Sequence, residues 1–290
     1  IKPILYGAIA AKLIGIKHRV AMVTGLGYLF IGSSFLAKLV RMASVPLYKR
    51  LYGVGDVVFF QNRDDRQVFE NLGIGRLAQK EVISGTGVDT DYFDQKALPP
   101  VGAEGPTFLY VGRMLYDKGL RELVEAVRLL KSRGEQFSCQ LLGPVDTNPA
   151  SIQSDELARL EDQQLVEYLG KTKDVRPYIE RSHMYILPSY REGLPRAALE
   201  AMSMGRGVIT TDAPGCKEVV NGNGFLVPVR DVEALASAMQ KVINNPLLIE
   251  QFGQRSRQLV EQNYQLDIVI EQVSKAMPSK CTAGRSLKKC

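Results

Sequence analysis

The stretch MYILPSYREGLPRAALEAM, residues 184–202, decides how the rest of the chain is read. Met184-Tyr185-Ile186-Leu187 is an unbroken apolar run of strand length, and Pro188 stops it. Gly193-Leu194-Pro195 is a turn, and Ala197 to Met202 has helical composition with Pro195 at the helix start. A buried strand leading through a short turn into a helix is one unit of an α/β fold. A helix N-terminus at the carboxyl end of a strand exposes free N–H groups and a partial positive charge, which suits a phosphate. Glu192 falls just before the helix and Glu200 within it, eight positions apart. Carboxylates repel phosphate, so hydroxyl groups are their partners. A ligand with phosphates and many hydroxyls is a nucleotide sugar.

Outward from this unit the pattern repeats. Strands are expected at residues 107–111, 138–142, 166–169, 184–187, 207–211 and 225–227, with helices at 117–132, 154–160, 174–180 and from Pro195. Six strands alternating with helices predict a parallel, doubly wound sheet with its ligand at the carboxyl ends of the strands. Helical patterns at 231–244, 246–262 and 266–276 follow, and the polar, basic residues 278–290 read as a tail. Upstream lies a second α/β series: helix 4–15, strand 18–24, a basic amphipathic helix within 33–52, strand 56–61, helix 64–72 and strand 80–83. Between Asp94 and Pro106 the run Leu98-Pro99-Pro100-Val101-Gly102 suits neither helix nor central strand, and the linker is placed there. The expected domains are 1–100 and 106–265, then a C-terminal helix 266–277.

Composition narrows the function classes. At 290 residues and 45% hydrophobic, two folded domains are expected. Four cysteines at 139, 216, 281 and 290 form no CxxC pair, which favours a reducing compartment. Two histidines, His18 and His183, exclude a histidine-rich metal site. Residues 1–55 hold eight Lys or Arg and no Asp or Glu. Without a nucleic-acid motif, this basic region points to an anionic membrane face and not to nucleic acid.

A second constellation, Gly112-Arg113-Met114-Leu115-Tyr116-Asp117-Lys118-Gly119, follows the strand at 107–111 and opens a helix. Arg113 and Lys118 emerge on the same sheet edge as the Glu192 turn and together suit a diphosphate. These residues, with Leu187-Pro188-Ser189, Gly205-Arg206-Gly207-Val208-Ile209 and Thr211-Asp212, resemble family 4 retaining glycosyltransferases of the two-domain GT-B fold. The resemblance implies a catalytic set of Arg113, Lys118 and Glu192, with Arg113 and Lys118 on the diphosphate and Glu192 on the donor sugar. It implies further donor contacts from Gly112, Gly193, Leu194 and, at the ribose, Glu200. The base would lie beside Gly143 and the segment Lys171, Asp174 and Val175.

In the first half, Gly25-Leu26-Gly27-Tyr28 resembles the family's acceptor-facing loop, and Thr24 stands where many members carry histidine. Thr24, Gly25 and Gly27 are therefore acceptor-side candidates. This domain reads as incomplete, since roughly 95 residues precede the linker where about 150 are usual. What the resemblance implies is a retaining transfer of a hexose or N-acetylhexosamine from a nucleoside diphosphate sugar, UDP-linked by preference. The acceptor would be a lipid-linked saccharide in cell-surface polysaccharide synthesis, on the inner face of the cytoplasmic membrane, with no metal or other cofactor. The competing readings are a nucleotide-sugar-binding fragment without turnover, or another GT-B enzyme such as an epimerase.

Overall fold

The computed structural model describes residues 2–26, 35–53, 56–146 and 151–277. The chain divides into two compact units, one formed up to Gly87 and again from Leu266, the other by Val88–Gln265. The first contains α1 (Lys2–Leu13), β1 (Val20–Val23), α2 (Phe35–Leu51), β2 (Val57–Phe60), α3 (Arg63–Asn71) and β3 (Gln79–Val82). Its sheet is parallel in the order β1-β2-β3, with every residue of central β2 buried. Asn62 caps α3 by accepting from the Asp65 N–H at 2.7 Å. The fully buried Asp56 carboxylate takes the Arg19 guanidinium as a fork, at 2.9 and 2.6 Å, and ties the amino ends of β1 and β2 together.

The second unit runs β4 (Thr107–Val111), α4 (Leu120–Ser132), β5 (Ser138–Leu142), α5 (Ser154–Asp162), β6 (Glu167–Tyr168), α6 (Arg176–Arg181), β7 (Met184–Leu187), α7 (Arg196–Ser203), β8 (Gly207–Thr211), β9 (Gly224–Val227), α8 (Val232–Asn244) and α9 (Leu247–Asn263). A last helix, α10 (Leu266–Ala276), belongs to the first unit, where Val269 packs on Val57, Phe59 and Ile83. The six strands lie parallel in the order β6-β5-β4-β7-β8-β9, and every residue of β7 and β8 is buried. Full burial of each Val, Leu or Ile is worth about 1.5–3 kcal/mol, so this unit holds the larger share of the core. The order reverses direction between β4 and β7. At such a point the loops leaving neighbouring strands diverge and a crevice opens beyond their carboxyl ends.

The α/β class, both parallel sheets and the order of elements match the sequence expectation. The differences are local. The helix expected over 117–132 is broken: Tyr116–Lys118 is a 3-10 turn, Gly119 is left-handed at φ 74°, and α4 starts at Leu120. Pro195 is the cap before α7 and lies outside the helix. The chain passes between units at Gly87 and Val88, ahead of the Pro- and Gly-rich run read as a linker. That run is held in the second unit by Arg206, fully buried, whose guanidinium donates to the carbonyls of Lys96 at 3.0 Å and Ala97 at 3.3 Å. The expected C-terminal helix is present as α10, and it groups with the first unit. Residues 278–290, read as a tail, lie outside the described residues.

Candidate functional site

At the carboxyl edge of the six-stranded sheet four loops meet backbone against backbone, and glycine is what lets them approach. A Cβ on Gly143, after β5, would stand 1.8 Å from the Gly112 carbonyl oxygen, after β4. One on Gly119 would stand 2.0 Å from the Pro188 carbonyl oxygen, after β7, and one on Gly215, after β8, 2.3 Å from that of Glu192. Hydrogen bonds lace the same loops: Gly112 N–H to Leu142, Tyr190 N–H to Asp117, and Glu192 N–H to Pro214, at 2.9, 3.0 and 3.0 Å. The two signature stretches are therefore joined at the point where the strand order reverses.

The side chains follow from that scaffold. Lys118 ends the 3-10 turn and its Nζ forms an ion pair with the Glu192 carboxylate. The two side chains are 22% and 14% exposed, so the pair sits sheltered between the β4 and β7 loops. Arg113, on the same β4 loop, is 59% exposed and meets Asp146 at 3.2 Å. Glu200 lies on the first turns of α7, 12% exposed, and accepts from Arg196 Nε at 2.9 Å. Burial raises its carboxyl above the ordinary glutamate value against the lowering effect of Arg196. Gly193 is buried and Leu194 half-buried just ahead of α7, whose cap residue offers no side-chain oxygen to its first N–H groups.

On the flank, Gly143 N–H donates to the Gly170 carbonyl at 2.8 Å, which brings the start of the Lys171–Val175 segment beside Gly143. Lys171 is exposed and Val175 half-buried. The Asp174 carboxylate is engaged by Arg176 at 2.9 and 2.7 Å, and that hydrogen bonding holds its pKa below the usual range. Arg176 in turn stacks over the Tyr92 ring at 3.8 Å.

Comparison with known proteins decides the family. Residues 105–245 match the family described as glycosyl transferases group 1. The domain at residues 105–245 is thus of the group 1 glycosyl transferase type. Among curated relatives is the N,N'-diacetylbacillosaminyl-diphospho-undecaprenol alpha-1,3-N-acetylgalactosaminyltransferase of Campylobacter jejuni, 27% identical over 84% of this chain and 66% of that protein. Another is the capsular polysaccharide biosynthesis glycosyltransferase CapM of Staphylococcus aureus, 30% identical over 57% of this chain and 43% of the relative. The chain thus spans less than two thirds of either. Among solved structures, Anabaena HepE, in complex with UDP and glucose, matches with a TM-score of 0.77 at 21% identity, over 96% of this chain and 76% of that one. At that identity the likeness carries the fold, which is GT-B.

In this group 1 domain the sequence motifs converge within the second unit: Gly112, Arg113, Lys118, Gly143, Glu192 and Gly193 share one sheet edge through the loop contacts above. The acceptor-side candidates belong to the first unit. Thr24 is exposed at the carboxyl end of β1, Gly25 is half-buried with φ 142°, and Gly27 lies outside the described residues. Cys216 is fully buried with its thiol pushed up to about 12 by desolvation, which keeps it unreactive. Asp89 caps its turn by accepting the Asp91 and Tyr92 N–H groups. The residues missed by motif reading are Asp146, the counterion of Arg113, and the buried Tyr110 and Tyr185 beneath the loops. A tyrosine within an otherwise apolar strand is the available signal, because its hydroxyl must find a partner.

Proposed function

We propose that this chain carries the donor site of a retaining glycosyltransferase that moves a hexose or N-acetylhexosamine from a UDP-sugar to a lipid-linked saccharide. The observation that carries the reading is the sheltered Lys118–Glu192 pair where the strand order reverses, with Arg113, Glu200 and the start of α7 on the same edge. Lys118, Arg113 and the α7 N–H groups stabilise the charge that grows on the leaving diphosphate. This is electrostatic catalysis by donors already in place. Binding exchanges partners: phosphate oxygens replace Glu192 and Asp146 as the counterions of Lys118 and Arg113. Glu192 is then free to accept from a sugar hydroxyl, and Glu200 from the ribose. The complex of HepE with UDP and glucose supports the donor class, and the diphospho-undecaprenol in the Campylobacter relative's name supports a lipid-linked acceptor.

The first unit suits such an acceptor. Residues 2–53 include no acidic side chain, and Leu13 and Met42 are 82% and 69% exposed among Lys12, Lys49 and Arg50. No helix among the described residues is long and apolar enough to cross a membrane, so the contact proposed is peripheral, with anionic lipid. Flotation with acidic and with neutral vesicles at low salt checks it, and equal recovery in both removes the membrane part.

The donor roles are tested by isothermal titration with UDP, GDP, ADP and UDP-N-acetylglucosamine. UDP binds the parent chain. Glu200→Gln weakens UDP by roughly 1–3 kcal/mol through loss of a charged acceptor at the ribose. Glu192→Gln spares UDP and removes whatever affinity the sugar adds. Equal losses for both ligands in both variants overturn the roles, and a folded chain that binds no nucleotide overturns the whole reading.

A further inference from the structure

We infer that Tyr110 is a positioning residue for the Arg113 turn, acting on the donor diphosphate without touching it. The inference rests on the donor-site reading above. Tyr110 sits fully buried in β4, where a plain apolar side chain would fill the core equally well. Its hydroxyl instead reaches past the end of the strand and donates to the Arg113 carbonyl at 2.7 Å. The same carbonyl accepts the Leu115 N–H at 2.8 Å, so the phenol braces a tight turn from beneath.

Gly112 is matched to that hydroxyl, since a Cβ there would stand 2.7 Å from it. A second buried phenol, Tyr185 on neighbouring β7, donates to the Val111 carbonyl at 3.4 Å and supports the residue before the glycine. Burial and the Glu192 charge keep both phenols protonated, hence donors. Arg113 needs such a brace. Its side chain is mostly exposed and its ion pair with Asp146 is of the weak surface kind, so its own contacts hardly fix its direction. The backbone it springs from does.

Tyr110→Phe keeps the ring and the packing and deletes the one bond. Titration of the full chain with UDP, beside thermal denaturation, tests the inference through a double-mutant cycle with Arg113→Ala. Tyr110→Phe is expected to weaken UDP binding about five-fold, the loss of one hydrogen bond's worth of positioning. In the Arg113→Ala background the same substitution changes the UDP affinity less than two-fold, because the group being positioned is gone. A lower Tm with parental UDP affinity makes Tyr110 a packing residue and overturns the inference. So does a five-fold loss that persists without the Arg113 side chain. If the parent chain binds no UDP, the donor-site reading fails first. If the parent binds and Tyr110→Phe binds equally well, this inference alone fails.

Discussion

His183 shows how one buried ring can join two segments at the cost of acid sensitivity. Its Nδ1 accepts the Thr107 N–H at 2.9 Å, so the ring is neutral with its proton on Nε2. Burial first, then the Arg206 charge, holds its pKa below the ordinary 6.5, although the nearby carbonyls of Pro99 and Pro100 favour the cation. The sign follows from linkage. The unfolded chain takes up a proton as pH falls through about 6.5, while the folded chain waits for its lower pKa. Stability contributed by the neutral ring is thus complete above that value and declines as pH falls below it. His183→Asn, whose Oδ1 replaces Nδ1 as acceptor, is expected to flatten that decline. Urea midpoints at pH 7, 6 and 5 measure it, and parallel slopes for parent and variant refute the assignment.

Among elements, the break at Gly119 is a case where the sequence pattern was right about the helix and silent about its start. The periodicity of Leu120, Leu123, Val124, Val127 and Leu130 marks the buried face of α4, and all five are buried. Nothing local to residues 116–119 reveals that Pro188, far along the chain, will lie against Gly119. The linker is similar: Pro and Gly did mark a stretch without regular structure, but its attachment depends on Arg206, more than a hundred residues away. Most of the six strands, by contrast, were legible as short, largely apolar runs that need no distant information, although β6 is only Glu167–Tyr168. The cost of the Gly119 contact can be separated from the cost of its φ. Gly134 has a similar φ of 81° with nothing within 4 Å of an added Cβ. Gly134→Ala is therefore expected to lose about 1 kcal/mol for the left-handed backbone, and Gly119→Ala about 2–4 kcal/mol once the clash is added. Denaturant titration reads both, and equal losses would mean that the Pro188 loop yields freely.

For the whole molecule, the convergence of the motif loops on one sheet edge was legible and the grouping of segments was not. Glu192, Lys118, Arg113 and the glycines around them could be placed together from their positions after successive strands, because a parallel sheet brings every strand's carboxyl end to one edge. The helix at 266–276 carried no such signal. Its apolar face fits any sheet, and only the folded chain reveals that it covers Val57, Phe59 and Ile83 through Val269, while Gln272 accepts the Ser84 N–H at 3.0 Å. The described residues of the first unit form a three-stranded sheet with a modest core, so in this chain losing one covering helix should leave it below the threshold of independent stability. The second unit keeps its six strands and α4 to α9 without that helix. Ending the chain after Gln265 is thus expected to strip amide protection from β1, β2 and β3 in hydrogen exchange. UDP affinity should stay within two-fold of the parent, because every residue assigned to the donor site lies in Val88–Gln265. Loss of UDP binding together with β1–β3 protection would mean that the donor site is not self-contained. Unchanged protection would mean that α10 adds nothing to the first unit's core.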